Sequence, residues 1–281
     1  MAAPLFLTRL GRDPWARFGL GLVAGLAVLA LLAPWLAPGD PFRGDLAASL
    51  RPPSSTFLLG SDVQGRDVLS RVLYGARLSL AVGLISQSIA LALGVTLGLV
   101  SGYYGRWMDG VIMRVADVTL AFPSLLLLIA IAAAVKPSLP VVFVVIGIVG
   151  WAGMARIVRG QVLLARGLDY VQAARALGAS DARIIARHLL PNVIAPVIVA
   201  ATLGIGGAIM AEAALSFIGL GAQPPTPSWG AMVADGRDLL RVAPWVSIAP
   251  GVAIGLTVLG LNLLGDGLRD ALDVRGIGRV S

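Results

Sequence analysis

The sequence predicts an all-α integral membrane protein with six transmembrane helices, and three observations carry that prediction. Of the 281 residues, 57% are hydrophobic and only 13% are charged, where an ordinary soluble chain carries about 25% charged residues. Six stretches hold no charge at all: 18–39, 78–105, 118–135, 137–155, 189–211 and 242–265. Each approaches or exceeds the roughly 20 residues that cross a hydrocarbon core as helix. The basic residues gather on alternate sides of these stretches, which is the pattern that orients a membrane protein.

The first stretch follows Arg9, Arg12 and Arg17 and ends near the small residues Ala33 and Ala37. Its apolar run exceeds the roughly 7–15 residues of a secretory signal core, and five further spans follow, so it reads as an anchoring helix. Residues 40–77 then form an outer segment. Pro38, Pro41, Pro52 and Pro53 mark its first half as loop, and Val68, Leu69, Val72 and Leu73 share one helical face in its second half. That face predicts an amphipathic segment lying on the outer membrane surface, as a packing elbow rather than a ligand site. The third and fourth spans are separated only by Lys136, and with Pro137 and Pro140 the expectation is a tight reversal at the membrane surface. Pairs of glycines four apart, Gly21/Gly25, Gly94/Gly98, Gly98/Gly102 and Gly251/Gly255, would let helices approach closely in lipid.

Orientation follows from arginine. With the N-terminus inside, the inner segments hold Arg9, Arg12, Arg17, Arg106, Arg114, Arg156, Arg159, Arg166, Arg175, Arg183, Arg187, Arg269, Arg275 and Arg279. The outer segments hold eight basic residues, Lys136 among them, partly balanced by Asp40, Asp45, Asp62 and Asp67. Both termini are therefore expected in the cytoplasm. Single cysteines at Ala182 and Ser228 would report that sidedness. The net charge of +7 is dispersed, which suits contact with anionic headgroups and argues against a nucleic-acid surface.

Absences exclude whole classes of chemistry. There is no cysteine, and His188 is the single histidine, so the chain can build neither a thiolate site nor a multi-histidine metal centre. The only lysine, Lys136, follows Val135, whereas a phosphate-binding loop needs lysine directly after glycine. The chain is expected to bind no nucleotide or metal and to carry out no catalysis. An intramembrane hydrolase fails too, for want of a Gly-x-Ser-x-Gly turn and of a histidine near a membrane serine.

The chain is economical with its inner loops except between Arg156 and Pro191. Asp169 can cap a helix over Tyr170–Leu177, which Gly178 would stop. Ser180 or Asp181 can cap a second helix from Ala182 to His188, ended by Pro191. Ile184 and Ile185 beside Arg183 and Arg187 make an apolar knob ringed by charge, suited either to docking on a partner or to folding back on the bundle.

Within that loop, Gln172-Ala173-Ala174, three residues, Gly178, nine residues, then His188-Leu189-Leu190-Pro191 resembles the EAA loop of binding-protein-dependent ATP-binding-cassette (ABC) importer permeases. Gln172 stands where that pattern has glutamate, and His188 where it has an apolar residue. The run from Leu59 to Arg71 resembles a segment of dipeptide, oligopeptide and nickel permeases. So do Gly102-Tyr103-Tyr104-Gly105, Ala121-Phe122-Pro123-Ser124, Glu212 to Gly221 and Pro224 to Gly230. The match is to the second, C-type permease of the pair.

The resemblance implies a type I (MetI-like) ABC importer permease fold in a prokaryotic inner membrane. It places a type-1 transmembrane domain at 76–270, the coupling loop at 156–191, an N-terminal tail, helix and outer segment at 1–75, and a tail at 271–281. It implies a homologous second permease, two cytoplasmic ATPases that hold ATP and Mg, and a periplasmic or lipid-anchored solute-binding protein. By the same resemblance Gln172, Ala173, Ala174, Gly178, Ser180, Arg183, Ile184, Leu190 and Pro191 form the surface that seats in the ATPase. The implied cargo is a di- or oligopeptide, with nickel or glutathione as alternatives inside the family. The mechanism implied is alternating access, with ATP-driven closure of the ATPases moving the loop as a rigid lever.

Polar groups inside apolar spans are the candidates for the translocation path: Ser86, Gln87 and Ser88, Asn262, and Glu212, the chain's single glutamate. Glu212 could instead pair with an arginine or a helix N-terminus and order the 213–241 loop. An ATP-independent secondary transporter remains the rival from another class. Such carriers place charge at mid-membrane, whereas Lys136 and Glu212 fall at span ends.

Overall fold

The computed structural model describes residues 10–136 and 138–272. Arg9, Pro137, Arg275 and Arg279 lie outside these. The regular structure among the described residues is helical, with a single isolated bridge between Ser61 and Asp67.

Helix α1 (Pro14–Leu31) begins where Asp13 accepts the Trp15 backbone N–H at 2.9 Å, with Pro14 pre-set for the first turn. A break at Leu32 leaves a short α2 (Ala33–Leu36). After an irregular segment comes α3 (Val68–Tyr104), capped by Asp67, which accepts from the Ser70 N–H and hydroxyl at 2.7 and 2.6 Å. At 37 residues α3 runs about 56 Å, well beyond the roughly 30 Å of a hydrocarbon core.

That length corrects the expectation of a separate surface-lying segment. Val68–Leu73 is the first part of α3 itself. Its apolar face meets protein: Val68 is fully buried with Met232, Ala243 and Val246. Periodicity reveals that a face is apolar but not what covers it.

The third predicted span is also different. It is a pair, α4 (Arg106–Ala121) and α5 (Ser124–Ala134), bent by 92°. Pro123 has no N–H to continue the ladder and pushes Phe122 to extended geometry (φ −85, ψ 139). At 11 residues, α5 is about 16 Å long and too short to cross alone. Among the described residues five helical segments are long and apolar enough to span, or six where the bent pair counts as one span.

The reversal around Lys136 holds: α5 ends at Ala134 and α6 (Leu139–Ala165) starts five residues on, with Lys136 exposed. The remaining elements are α7 (Asp169–Ala176), α8 (Asp181–Ile184), α9 (Leu190–Phe217), α10 (Trp229–Gly236) and α11 (Trp245–Leu272). A π-turn, Ile185–Leu189, joins α8 to α9. The second loop helix therefore does not end at Pro191. Proline in a first helical turn lacks only an N–H that would be unpaired anyway, so Pro191 sits at the start of α9 without stopping the chain.

Glycines decide the tightest seam. A Cβ at Gly94, Gly98 or Gly102 would lie 2.5–2.7 Å from the Cβ of Met154, Val158 or Val162 on α6. Gly21, Gly25, Gly251 and Gly255 have nothing within 4 Å. Alpha-1 instead meets α11 through Gly19, Gly260 and Gly267. At one end of the bundle α10 caps the helices: Trp229 is fully buried and its indole N–H donates to the Val72 carbonyl at 2.9 Å.

Candidate coupling loop and intramembrane cleft

The loop after α6 is built as two short arms around Gly178. Gly178 has φ +79, which glycine adopts without strain. Its N–H donates to the Arg175 carbonyl and that of Ala179 to the Ala174 carbonyl, satisfying the orphan acceptors at the end of α7. Leu168 occupies the N-cap of α7 and Asp169 its first turn, so Asp169 favours the helix through its charge near the dipole rather than by capping. Ser180 holds the N-cap position of α8 with no side-chain bond.

Gln172 gains a role that the sequence left open. Its Nε2 donates to the Arg166 carbonyl at 2.8 Å, at the C-cap of α6, where the carbonyls lack helical partners. A glutamate there would have no proton to donate and would face the negative end of α6. Ala173, Arg183 and Pro191 are exposed, while Ala174 and Leu190 are half-buried.

Ile184 is a correction. It is fully buried beside Val171, Leu189, Val158 and Val162, so it anchors the loop to its own bundle. Knob and anchor look alike in sequence because both need an apolar residue among charges. The most exposed apolar side chain of the loop is Leu177, 88% accessible at the tip beside Gly178, to which the sequence, reading it as the last residue of the first loop helix, assigned no role. His188 lies in the π-turn, its ring 6.2 Å from that of Tyr170.

A second feature is a cleft of about 290 Å3 enclosed by α3, α5, α6 and α9. Ser86, Gln87 and Ser124 are its polar lining, among Leu128, Ile146 and Met154. Gln87 fits because α9 carries Gly204, where a Cβ would come within 2.6 Å of the carboxamide carbon. Of the sequence candidates, the structure brings Ser86 and Gln87 to this cleft. Ser88 turns away and donates to the Leu84 carbonyl, and Asn262 is exposed on α11.

Glu212 is fully buried but is not part of the cleft lining. It accepts from the Ser216 hydroxyl at 2.5 Å, and the Ser216 oxygen in turn accepts the Ala222 N–H at 3.2 Å and lies 3.3 Å from the Ser228 hydroxyl. Ser228 caps α10, accepting from the Ala231 N–H. No arginine pairs with Glu212 among the described residues. Its link to the 213–241 loop runs instead through Ser216 and Ser228.

Comparison with known proteins places the chain. The family described as binding-protein-dependent transport system inner membrane component matches residues 94–276. The N-terminal transmembrane domain of oligopeptide transport permease C matches residues 5–53. The dipeptide transport system permease protein DppC of Alkalihalophilus pseudofirmus is 46% identical over 94% of this chain and 87% of its own. The di/tripeptide transport system permease protein DppC of Pseudomonas aeruginosa is 47% identical over 91% and 86%. The glutathione transport system permease protein GsiD of Pectobacterium atrosepticum is 44% identical over 96% and 94%. In fold, the chain is similar to the inward-facing MetNI methionine ABC transporter, with a TM-score of 0.60 at 19% identity, covering 72% of this chain and 96% of that one. The chain therefore belongs to the binding-protein-dependent transport system inner membrane components, as a multi-pass permease subunit of an ABC importer.

Proposed function

We propose that this permease moves short peptides into the cell, paired with a homologous second permease, with its two-armed loop seated in one of two cytoplasmic ATPases. A solute-binding protein delivers cargo from outside, and both termini face the cytoplasm. Hydrolysis belongs to the ATPases, since this chain has no glycine-lysine phosphate loop. The observation that carries the reading is the loop itself: two helices set around Gly178, anchored from behind by Val171 and Ile184, with Leu177 projecting at the tip. Peptide cargo is supported by the three relatives above, whose names specify dipeptides, di/tripeptides and glutathione. Gln87 and Ser86 are the proposed contacts on the cargo side.

Gly178→Val tests the loop. No atom lies within 4 Å of a Cβ at this position, so the cost is backbone strain of about 1–3 kcal/mol. The expected result is normal insertion with dialanine uptake reduced about tenfold or more, and recovery in Gly178→Asn, because asparagine tolerates the left-handed region. Wild-type uptake by Gly178→Val would refute the assignment.

Sidedness is tested by single cysteines, since the chain has none of its own. Ala182 is exposed and suitable. Ser228 is fully buried as the cap of α10, so the outer reporter belongs at exposed Gln223 in the same loop. In intact spheroplasts an impermeant thiol reagent should label Gln223→Cys and leave Ala182→Cys unlabelled until lysis. Labelling in the opposite order would invert the proposed topology.

A further inference from the structure

The last turn of α3 holds both arms of the loop at once. Tyr103 is buried, and its hydroxyl donates to Asp181 Oδ1 at 2.6 Å. Asp181 is the first residue of α8, on the far side of Gly178. The guanidinium of Arg175, in the last turn of α7, lies 5.5 Å from the centroid of the same ring, within cation–π range. One residue up, the Gly102 carbonyl accepts from Arg166 Nη1 at 2.9 Å, tying α3 to the end of α6 where the loop begins.

One phenol therefore touches the arm before the bend and the arm after it. The backbone bonds of Gly178 and Ala179 fix the turn itself, and Tyr103 adds a restraint that spans it from outside. The ring bears on the first arm and the hydroxyl on the second. The same helix carries Gln87, 16 residues earlier in α3, about 24 Å along a continuous helix.

We propose that Tyr103 is a positioning residue for coupling: it restrains the angle between the two arms of the loop and transmits loop movement along α3 to the cleft. The inference rests on the coupling-loop reading above. Asp181 is exposed, so water can solvate its carboxylate once the phenol is gone, and folding loses little. What is lost is the restraint. A hydrogen bond to an ionised carboxylate is worth about a tenfold bias or more between held and released states.

The test uses the complete transporter in proteoliposomes, with its ATPases and binding protein, and reads dialanine uptake together with ATP hydrolysis. Tyr103→Phe keeps the ring and its contact with Arg175 and removes only the hydroxyl. It should lower dialanine uptake per ATP about tenfold and flatten the stimulation of hydrolysis by loaded binding protein, with the KM for ATP unchanged. Asp181→Asn, which keeps an acceptor, should be mild. Asp181→Ala should match Tyr103→Phe, and the double variant should be no worse than either. Wild-type stoichiometry in Tyr103→Phe, or additive losses in the double variant, would overturn the proposal. Should Tyr103→Phe fail to assemble, Asp181→Ala alone decides, since it removes the same bond from an exposed position. Uncoupling by Gly178→Val with normal Tyr103→Phe refutes only the Tyr103 role; normal uptake in Gly178→Val refutes the loop reading itself.

Discussion

Gly98→Leu is expected to abolish recovery of folded protein, the largest effect of any single substitution considered. A Cβ at Gly98 would stand 2.7 Å from the Ala155 carbonyl oxygen and 2.7 Å from Val158 Cβ. One of those neighbours is backbone, so no rotamer change relieves the clash and α3 has to move away from α6. In lipid there is no hydrophobic force to draw the helices back, because their apolar faces are as content with acyl chains as with each other. Overpacking costs about 1–3 kcal/mol and occasionally more, and a clash with backbone puts this one at the upper end, a large part of a typical folding free energy. Gly25→Leu is the control, having the same chemistry on a span with nothing within 4 Å. Size-exclusion profiles in mild detergent should show Gly25→Leu monodisperse and Gly98→Leu aggregated. Equal profiles would mean that the α3–α6 seam is not what holds the bundle together.

Asp62→Ala should cost about 3–5 kcal/mol, because it strands buried cations. The Asp62 carboxylate accepts Arg66 Nε at 2.7 Å and faces Arg71 Nε at 3.4 Å, with both arginines largely buried. Its other oxygen accepts the Gln64 and Arg66 backbone N–H groups at 2.9 Å each, closing the turn. Asp235 on α10 is the nearby second anion, but burial pushes its carboxyl above the usual range, with Arg71 and Arg66 pulling it back only in part. Asp62→Asn keeps an acceptor for the turn and should fall between wild type and alanine. The expected readout is a lower melting temperature together with new protease cleavage in residues 40–67 from the proposed outer side. A melting temperature within a degree of wild type would show that water already reaches these arginines.

The membrane class, five of the six spans, the reversal at Lys136 and the bend at Gly178 were all legible from residue order. Each follows from a local rule: apolar length for the spans, prolines for the reversal, and a left-handed turn that glycine accepts. The family was legible as well, because Gln172 to Pro191 and the outer segments carry their pattern in the chain itself.

What residue order could not supply was the far side of each contact. Val68 and Val72 present an apolar face that suits lipid or protein equally, and only the position of α10 and Trp229 made it protein. Gly21 and Gly98 carry the same small-residue spacing, yet a partner backbone reaches only Gly98. Ile184 had the composition of an exposed knob and became an anchor because Val158 and Val162 lie behind it. Tyr103 and Asp181 are 78 residues apart. Their pairing exists because α3 and α6 pack closely enough to bring one end of a span against the loop, a result of three-dimensional packing that no window of sequence contains.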